Sequence, residues 1–419
     1  MTQVTIRLNA FKFLALLAPL FLCGCSWFTW IPGIEERDKK DEDSKLEPAE
    51  LVDFDSEVDL KRLWKASVGE GLGKKYLKLS PVVVADQVLA ADGYGTVVAV
   101  DRFSGKRNWQ VRFDQLSEGF LSSLNFIDRK DPSFVSGGLG SGSGMVLLGT
   151  TKGEVVALSL VDGSQVWRSQ LDTEIQCIPV YADGKVFVQS VNDRVTALDE
   201  KTGELIWTYD NQSPILTLRG TSSPIVANGL VITGIANGKI IALRAENGEP
   251  VWEHRVMLPE GRSELERMVD VDAVPLSLGG AIYTSAYQGR LKRLSIRDGR
   301  PRWEYKSSSH QDLAEGYGQI YLVDDEDSVH AVDQNTGESV WIQEVFARRK
   351  LTAPTSFSNY VALADDQGYL HVIAQRDGRL MGRRKIDRRG LRSNMVESDG
   401  VLYVLTNSGS LQAIQVNLR

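Results

Sequence analysis

Cysteine, histidine and long apolar runs are scarce in this chain, and each scarcity removes a class of protein. Three cysteines, Cys23, Cys25 and Cys177, cannot build a disulfide framework, and Cys177, within Gln176-Cys177-Ile178-Pro179-Val180, reads as a small buried residue. Four histidines, His254, His310, His330 and His371, stand singly and without metal-ligand spacing. No Gly-x-Ser-x-Gly, phosphate loop or dinucleotide fingerprint occurs in the context its chemistry needs. Acidic residues outnumber basic ones, 55 to 48, and a net charge of -7 disfavours nucleic acid as a partner because its phosphates are repelled. The apolar run from Phe13 to Leu22 is too short to span a bilayer comfortably as a helix.

What that run does have is the layout of a secretory signal, with Arg7 and Lys12 ahead of it and Leu22-Cys23-Gly24-Cys25 behind it. Leu-x-Gly-Cys resembles the lipobox of bacterial lipoproteins, which implies removal of residues 1–24 and acylation of Cys25. Ser26 stands where an Asp would signal inner-membrane retention, so the expected address is the periplasmic face of the outer membrane. Residues 25–59 are then a lipidated tether. They carry the run Glu35-Glu36-Arg37-Asp38-Lys39-Lys40-Asp41-Glu42-Asp43 and little apolar pattern, while Trp27, Phe28 and Trp30 lie where aromatic rings favour a membrane interface.

From residue 60 onward one pattern recurs. Asp193-Arg-Val-Thr-Ala-Leu-Asp-Glu-Lys-Thr-Gly203-Glu-Leu-Ile-Trp207 reads as an alternating strand, a Thr-Gly turn and a short strand ending in tryptophan. The turn glycine recurs as Gly105, Gly163, Gly248, Gly299, Gly337 and Gly378. Four residues after six of these seven glycines stands Trp109, Trp167, Trp207, Trp252, Trp303 or Trp341; after Gly378 the slot holds Gly382. Further strand pairs precede the hairpins, as in Pro81 to Ala91, Pro179 to Gln189, Ser223 to Gly234, Pro275 to Ser285 and Pro354 to Ala364. Four short strands on a period of roughly 40 to 50 residues match a β-propeller blade, and strands apolar on both faces, such as Thr96-Val97-Val98-Ala99-Val100, suit a blade between two neighbours.

An eighth hairpin opens at Gly409 with Leu411 and Ala413 in register, but the sequence reaches Arg419 without a turn glycine. Leu63-Trp64-Lys65-Ala66 supplies the missing outer strand. The expected fold is therefore an all-β, eight-bladed propeller of four-stranded antiparallel blades over residues 60–419, its ring closed by an N-terminal strand that completes the last blade. Three departures from the period stand out. Gly137-Gly-Leu-Gly-Ser-Gly-Ser-Gly144 reads as a mobile loop, Met257 to Met268 as a loop with a helical turn capped by Ser263, and Arg383-Arg384-Lys385 with Arg388-Arg389 as solvated edge residues.

Repeats of the form Ala-x-Asp-x-x-Thr-Gly-x-x-x-Trp resemble the tryptophan-docking repeats of the PQQ-type eight-bladed propellers, in which each tryptophan packs on the neighbouring blade. That group includes quinoprotein dehydrogenases, an alternative function for this chain. No Cys-Cys pair is present, and the acidic runs Asp324-Asp325-Glu326-Asp327 and Asp365-Asp366 fall in turns without the spacing of a calcium loop. No catalytic residue, metal ligand or cofactor is therefore expected.

Lipobox, acidic tether and a single propeller together resemble the BamB family of outer-membrane assembly lipoproteins over essentially the whole chain. Ile215-Leu216-Thr217-Leu218-Arg219-Gly220 and Met268-Val269-Asp270-Val271-Asp272 are similar to that family's Leu-x-Leu-Arg-Gly and Asp-x-Asp segments. The resemblance implies contact with the POTRA domains of BamA, and through them the Bam complex. In that role Leu216 and Leu218 are the apolar contact, Arg219 is the charged anchor, and Asp270 with Asp272 orient it. Read from the residues alone, the two leucines serve equally as core and Arg219 as the partner of a structural ion pair. Outer-strand edges also offer strand addition to nascent outer-membrane proteins.

Overall fold

Each copy of the repeat folds into a four-stranded antiparallel sheet, and among the described residues every strand belongs to one of eight such sheets. The computed structural model describes residues 47–73, 77–113, 134–211, 222–236, 238–258 and 269–419. Residues 1–48 are one unit, of which Glu47 and Pro48 are described; residues 49–419 are the other. Blades 1 to 7 span 82–112, 135–170, 180–209, 225–255, 276–305, 314–343 and 355–385. Blade 8 takes its three inner strands from 396–418 and its outer strand from Val58–Ser67, which pairs antiparallel with Ser410–Leu418. The expected eight-bladed ring with an N-terminal closing strand is thus observed.

The repeat motif acquires a physical role at every position. On the third strand Ala197 lies opposite Trp207 of the fourth, and a β-bulge follows at once, between Ala197 and Leu198. Asp199 then closes the turn, its carboxylate accepting the N–H groups of Lys201 and Thr202, both at 2.9 Å. Gly203 stands at φ 71°, a left-handed conformation that costs glycine nothing. Its bare Cα face lies under the indole of Trp167 in the preceding blade, where an added Cβ would approach the ring to 2.6 Å.

That contact repeats around the ring. Trp64, Trp109, Trp167, Trp207, Trp252, Trp303 and Trp341 cover Gly105, Gly163, Gly203, Gly248, Gly299, Gly337 and Gly378 of the next blade. Each indole N–H donates to the carbonyl three residues before that glycine, at 2.7 to 3.2 Å: Arg102, Leu160, Glu200, Ala245, Ile296, Gln334 and Gln375. Five of the seven rings are buried and those of Trp303 and Trp341 partly so, and because the one polar group of each is satisfied, its desolvation does not cancel the gain from burial.

Blade 7 lacks its tryptophan for a structural reason. The third and fourth strands of blade 8 come from opposite ends of the chain, so no Thr-Gly turn exists there to receive an indole. Val58 and Leu60 of the closing strand fill the seam instead, packing with Met381, Leu391 and Ile414, and a Cβ on Gly382 would meet Val58 at 2.6 Å. Residues 49–57 run from the link between blades 6 and 7 to the outer strand of blade 7 before the closing strand begins. Ala49 N donates to Ala347 O at 2.9 Å and Glu57 N to Met381 O at 2.8 Å. Within the basic run Lys385, Arg388 and Arg389 are exposed as expected, but Arg383 donates to Val52 O at 3.0 Å and lies over the Phe54 ring, and Arg384 bonds Leu60 O. Just ahead of the run, Arg379 grips both oxygens of Glu57 at 3.0 Å.

One expectation fails. The glycine-rich stretch is no mobile loop; most of it lies in Val135–Gly142, the inner strand of blade 2 and largely buried. Blade 3 crosses it so closely that a Cβ on Gly140 would overlap the Pro179 carbonyl and one on Gly142 the ring of Tyr181. Glycine is there to let two backbones approach, not to loosen a loop. Residues 259–268, where a helical turn was expected, lie outside the described residues.

Trp252→Ala empties an interblade seam and should cost about 3 to 5 kcal/mol in chemical denaturation. Gly299→Ala, which drives a methyl into that same indole, should lower the unfolding midpoint comparably while leaving the secondary structure intact by circular dichroism.

Candidate partner-docking site

In a sheet whose four strands follow one another antiparallel, the turns between second and third strands share one face of the disc with the links between blades. Both segments singled out by sequence are such links. Residues 212–221, with Leu216, Leu218 and Arg219, lie outside the described residues, as does Cys25. Their C-terminal neighbour Ser222 is described and buried, and its hydroxyl donates to Ala273 O at 3.0 Å. The link into blade 4 therefore meets the end of the Asp-x-Asp link into blade 5.

Val269 and Val271 of the Asp-x-Asp link enter the seam between blades 4 and 5 with Ile232, Ile240, Trp252 and Val256. Gly234 of blade 4 has no side chain because a Cβ there would collide with Val271 O. Between and after the two valines, Asp270 is 4% exposed and Asp272 partly buried. Tyr287 N, on the turn of blade 5, donates to Asp270 O at 3.3 Å.

Burial makes this acidic link costly to ionise. The Asp272 carboxyl is pushed up to about 6, first by desolvation and then by the charge of Asp270, with Asp193 adding to the rise and Lys78 and His310 opposing it. Asp193, the residue that opens the most regular repeat, is buried too. Its carboxylate accepts Ala236 N of blade 4 at 3.2 Å and Gln189 Nε2 at 3.3 Å. Asp193 thereby joins blades 3 and 4 and adds to the negative field at Asp272. Asp193 stands in the turn ahead of its strand, at φ 58°, and nothing in the spacing of the repeat signals its partners in blade 4 or the presence of Lys78 beside this link.

The other polar clusters are structural. Asp324 closes its own turn by accepting Glu326 N and Ser328 N at 2.9 and 2.8 Å, and Asp327 holds the link into blade 7 by accepting Lys350 N and Leu351 N at 2.8 and 2.7 Å. Asp365 pairs with Arg349 at 2.6 Å and with His371 Nε2 at 2.9 Å in the interior, where burial holds the imidazole below its ordinary value. Cys177 is fully buried, its sulfur accepts Gln189 N at 3.0 Å, and burial pushes its thiol up to about 12, far from a nucleophile's range. Among the described residues no group of three or more His, Cys, Asp or Glu could hold a metal ion.

The family described as "Outer membrane protein assembly factor BamB" matches residues 121–343 and 325–417. An outer membrane protein assembly factor BamB from Pseudomonas aeruginosa is 37% identical over 92% of this chain and 96% of its own. One from Yersinia pestis is 32% identical over 95% and 97%. The crystal structure of BamB from Moraxella catarrhalis superposes with a TM-score of 0.73 at 23% identity, covering 85% of this chain and all of that one, a likeness of fold.

Because the folded carboxyl of Asp272 lies above the ordinary aspartate value of about 3.9, its contribution favours the folded state at low pH and is lost as pH rises through about 6. Comparing unfolding free energies of wild type and Asp272→Asn at pH 7 and pH 5 should show wild type gaining on the variant by about 1 kcal/mol at the lower pH.

Proposed function

The chain belongs to the BamB family of outer membrane protein assembly factors, and from that premise we propose that it is a lipid-anchored scaffold that docks on the POTRA domains of BamA through its loop face. It is a non-catalytic assembly factor, so the quinoprotein dehydrogenase reading is set aside by kinship. As a member of the family it works in outer-membrane protein assembly. In our reading residues 1–24 are a signal, Cys25 carries the lipid, 25–59 tether the protein to the periplasmic face of the outer membrane, and 60–419 present the docking surface.

One observation supports the docking reading: Ser222, the first described residue after the Leu-x-Leu-Arg-Gly segment, donates to Ala273 O, the residue after Asp272, so the links into blades 4 and 5 touch. In this reading Leu216 and Leu218 are the apolar contacts, Arg219 is the anchor, and Asp270 with Asp272 are its acidic partners.

Replacing Leu216, Leu218 and Arg219 together by Ala should weaken binding to BamA POTRA domains by at least about tenfold while the melting temperature stays near wild type. Undiminished binding by the folded variant would remove the site. Cys25→Ser should abolish palmitate incorporation and release the protein into the soluble periplasmic fraction; a variant still labelled and still in the membrane fraction would place the anchor elsewhere.

A further inference from the structure

Lys78 lies in the link between the closing strand and blade 1, four residues before the inner strand Val82–Val84. Its ammonium donates to Gln311 Oε1 at 3.0 Å. Gln311 leads into blade 6, and blades 7 and 8 stand between blades 6 and 1, so this bond runs across the centre of the ring. Gln311 Nε2 in turn donates to Leu351 O, ahead of blade 7, at 3.1 Å. Its neighbour Asp312 accepts Val274 N, ahead of blade 5, at 2.8 Å and Asn394 Nδ2, ahead of blade 8, at 2.6 Å. Five links, into blades 1, 5, 6, 7 and 8, therefore converge on one polar hub at the axis.

We propose that Lys78 is a positioning residue for the docking surface: its ammonium, reaching across the axis, holds the Asp270–Asp272 link in place, so that closure of the ring and presentation of the docking face are coupled. This rests on the docking reading above. The charged groups facing Lys78 are Asp312 and Asp272. Those facing Asp272 are Asp270, Asp193, His310 and Lys78. Of the two carboxylates, Asp312 acts on the lysine more strongly, and it is Asp312 that grips the backbone of the link bearing Asp272. Val274, whose N–H the hub grips, is two residues beyond Asp272 on the same strand of chain, so backbone and charge both tie this link to the centre. An interblade link held only at its outer end could swing; one pinned at the axis cannot. Burial lowers the lysine's proton affinity from its ordinary value while the two carboxylates support it, as expected of a cation enclosed for a structural purpose.

The test uses the full chain and two substitutions that break the hub from opposite sides, Lys78→Met and Gln311→Leu. Trp167→Phe serves as a variant that weakens the seam of blades 2 and 3, neither of which sends a link to the hub. Affinity for BamA POTRA domains is measured from pH 5.5 to 8, and the Asp272 carboxyl carbon is titrated by NMR in the unbound chain. Both hub variants should bind about tenfold more weakly, a coupling within the range known for residues that share one network. The Asp272 titration midpoint should rise in Lys78→Met, and Trp167→Phe should bind like wild type. Wild-type affinity in folded hub variants, or an equal loss in Trp167→Phe, overturns the coupling; an unmoved Asp272 midpoint overturns the electrostatic link between lysine and aspartate. Should Lys78→Met not fold, Gln311→Leu decides the coupling, because it removes a bond without burying a new charge. A wild-type chain that does not bind the POTRA domains overturns the docking reading and the coupling with it, and the Asp272 titration then judges the hub alone.

Discussion

The indole laid over a glycine of the next blade is the contact on which the ring depends. A single blade buries too little to stand alone, and its stability comes from the seams on either side. Each seam needs a large apolar group whose polar edge is satisfied and a partner surface flat enough to receive it. Tryptophan meets the first need by donating its N–H to a carbonyl of the neighbouring turn, and glycine meets the second by having no Cβ. The intervening residues of the motif serve this pairing. Alanine opposite the tryptophan leaves it room, the bulge after that alanine re-aims the strand, and the aspartate closes the turn that carries the glycine.

Where that contact is absent, the protein substitutes other physics. The seam between blades 7 and 8 has neither indole nor turn glycine, and it is filled by Val58 and Leu60 of a strand drawn from the far end of the chain. Arg379, Arg383 and Arg384 hold that strand and the segment before it with hydrogen bonds to carbonyls and a carboxylate. Blade 2 solves a different problem, a neighbour that crosses too near for side chains, by giving up side chains on its inner strand. In each case an irregular sequence marks a place where the general solution does not fit the local geometry.

Function is assigned to what the seams leave over. The links between blades on one face pack into the seams, as Val269 and Val271 do, and also carry the buried acidic pair and the hub on the axis. Links from several blades meet within hydrogen-bonding distance, so the face behaves as one surface although its residues are scattered over more than three hundred positions. A family of assembly factors needs a rigid platform with a distinctive surface, and a ring closed on itself supplies the rigidity without spending that surface on edges.

The sequence by itself determined the architecture: a repeat with invariant spacing states how many blades there are, which residue docks on which, and that Trp64 belongs to the last blade, because a local motif repeated seven times carries its own register. The links that hold Leu216, Leu218, Arg219, Asp270 and Asp272 were singled out by the family resemblance alone, since the period is interrupted elsewhere, at 137–144, 257–268 and 383–389. What only the tertiary structure decided is whatever joins positions far apart in the chain. Gly382 is small because Val58 arrives from more than three hundred residues away, the glycines of 137–142 face another backbone and not solvent, and Lys78 meets Gln311 across the axis. No spacing rule reaches so far, since the partners of such residues are set by closure of the ring and not by neighbours in sequence.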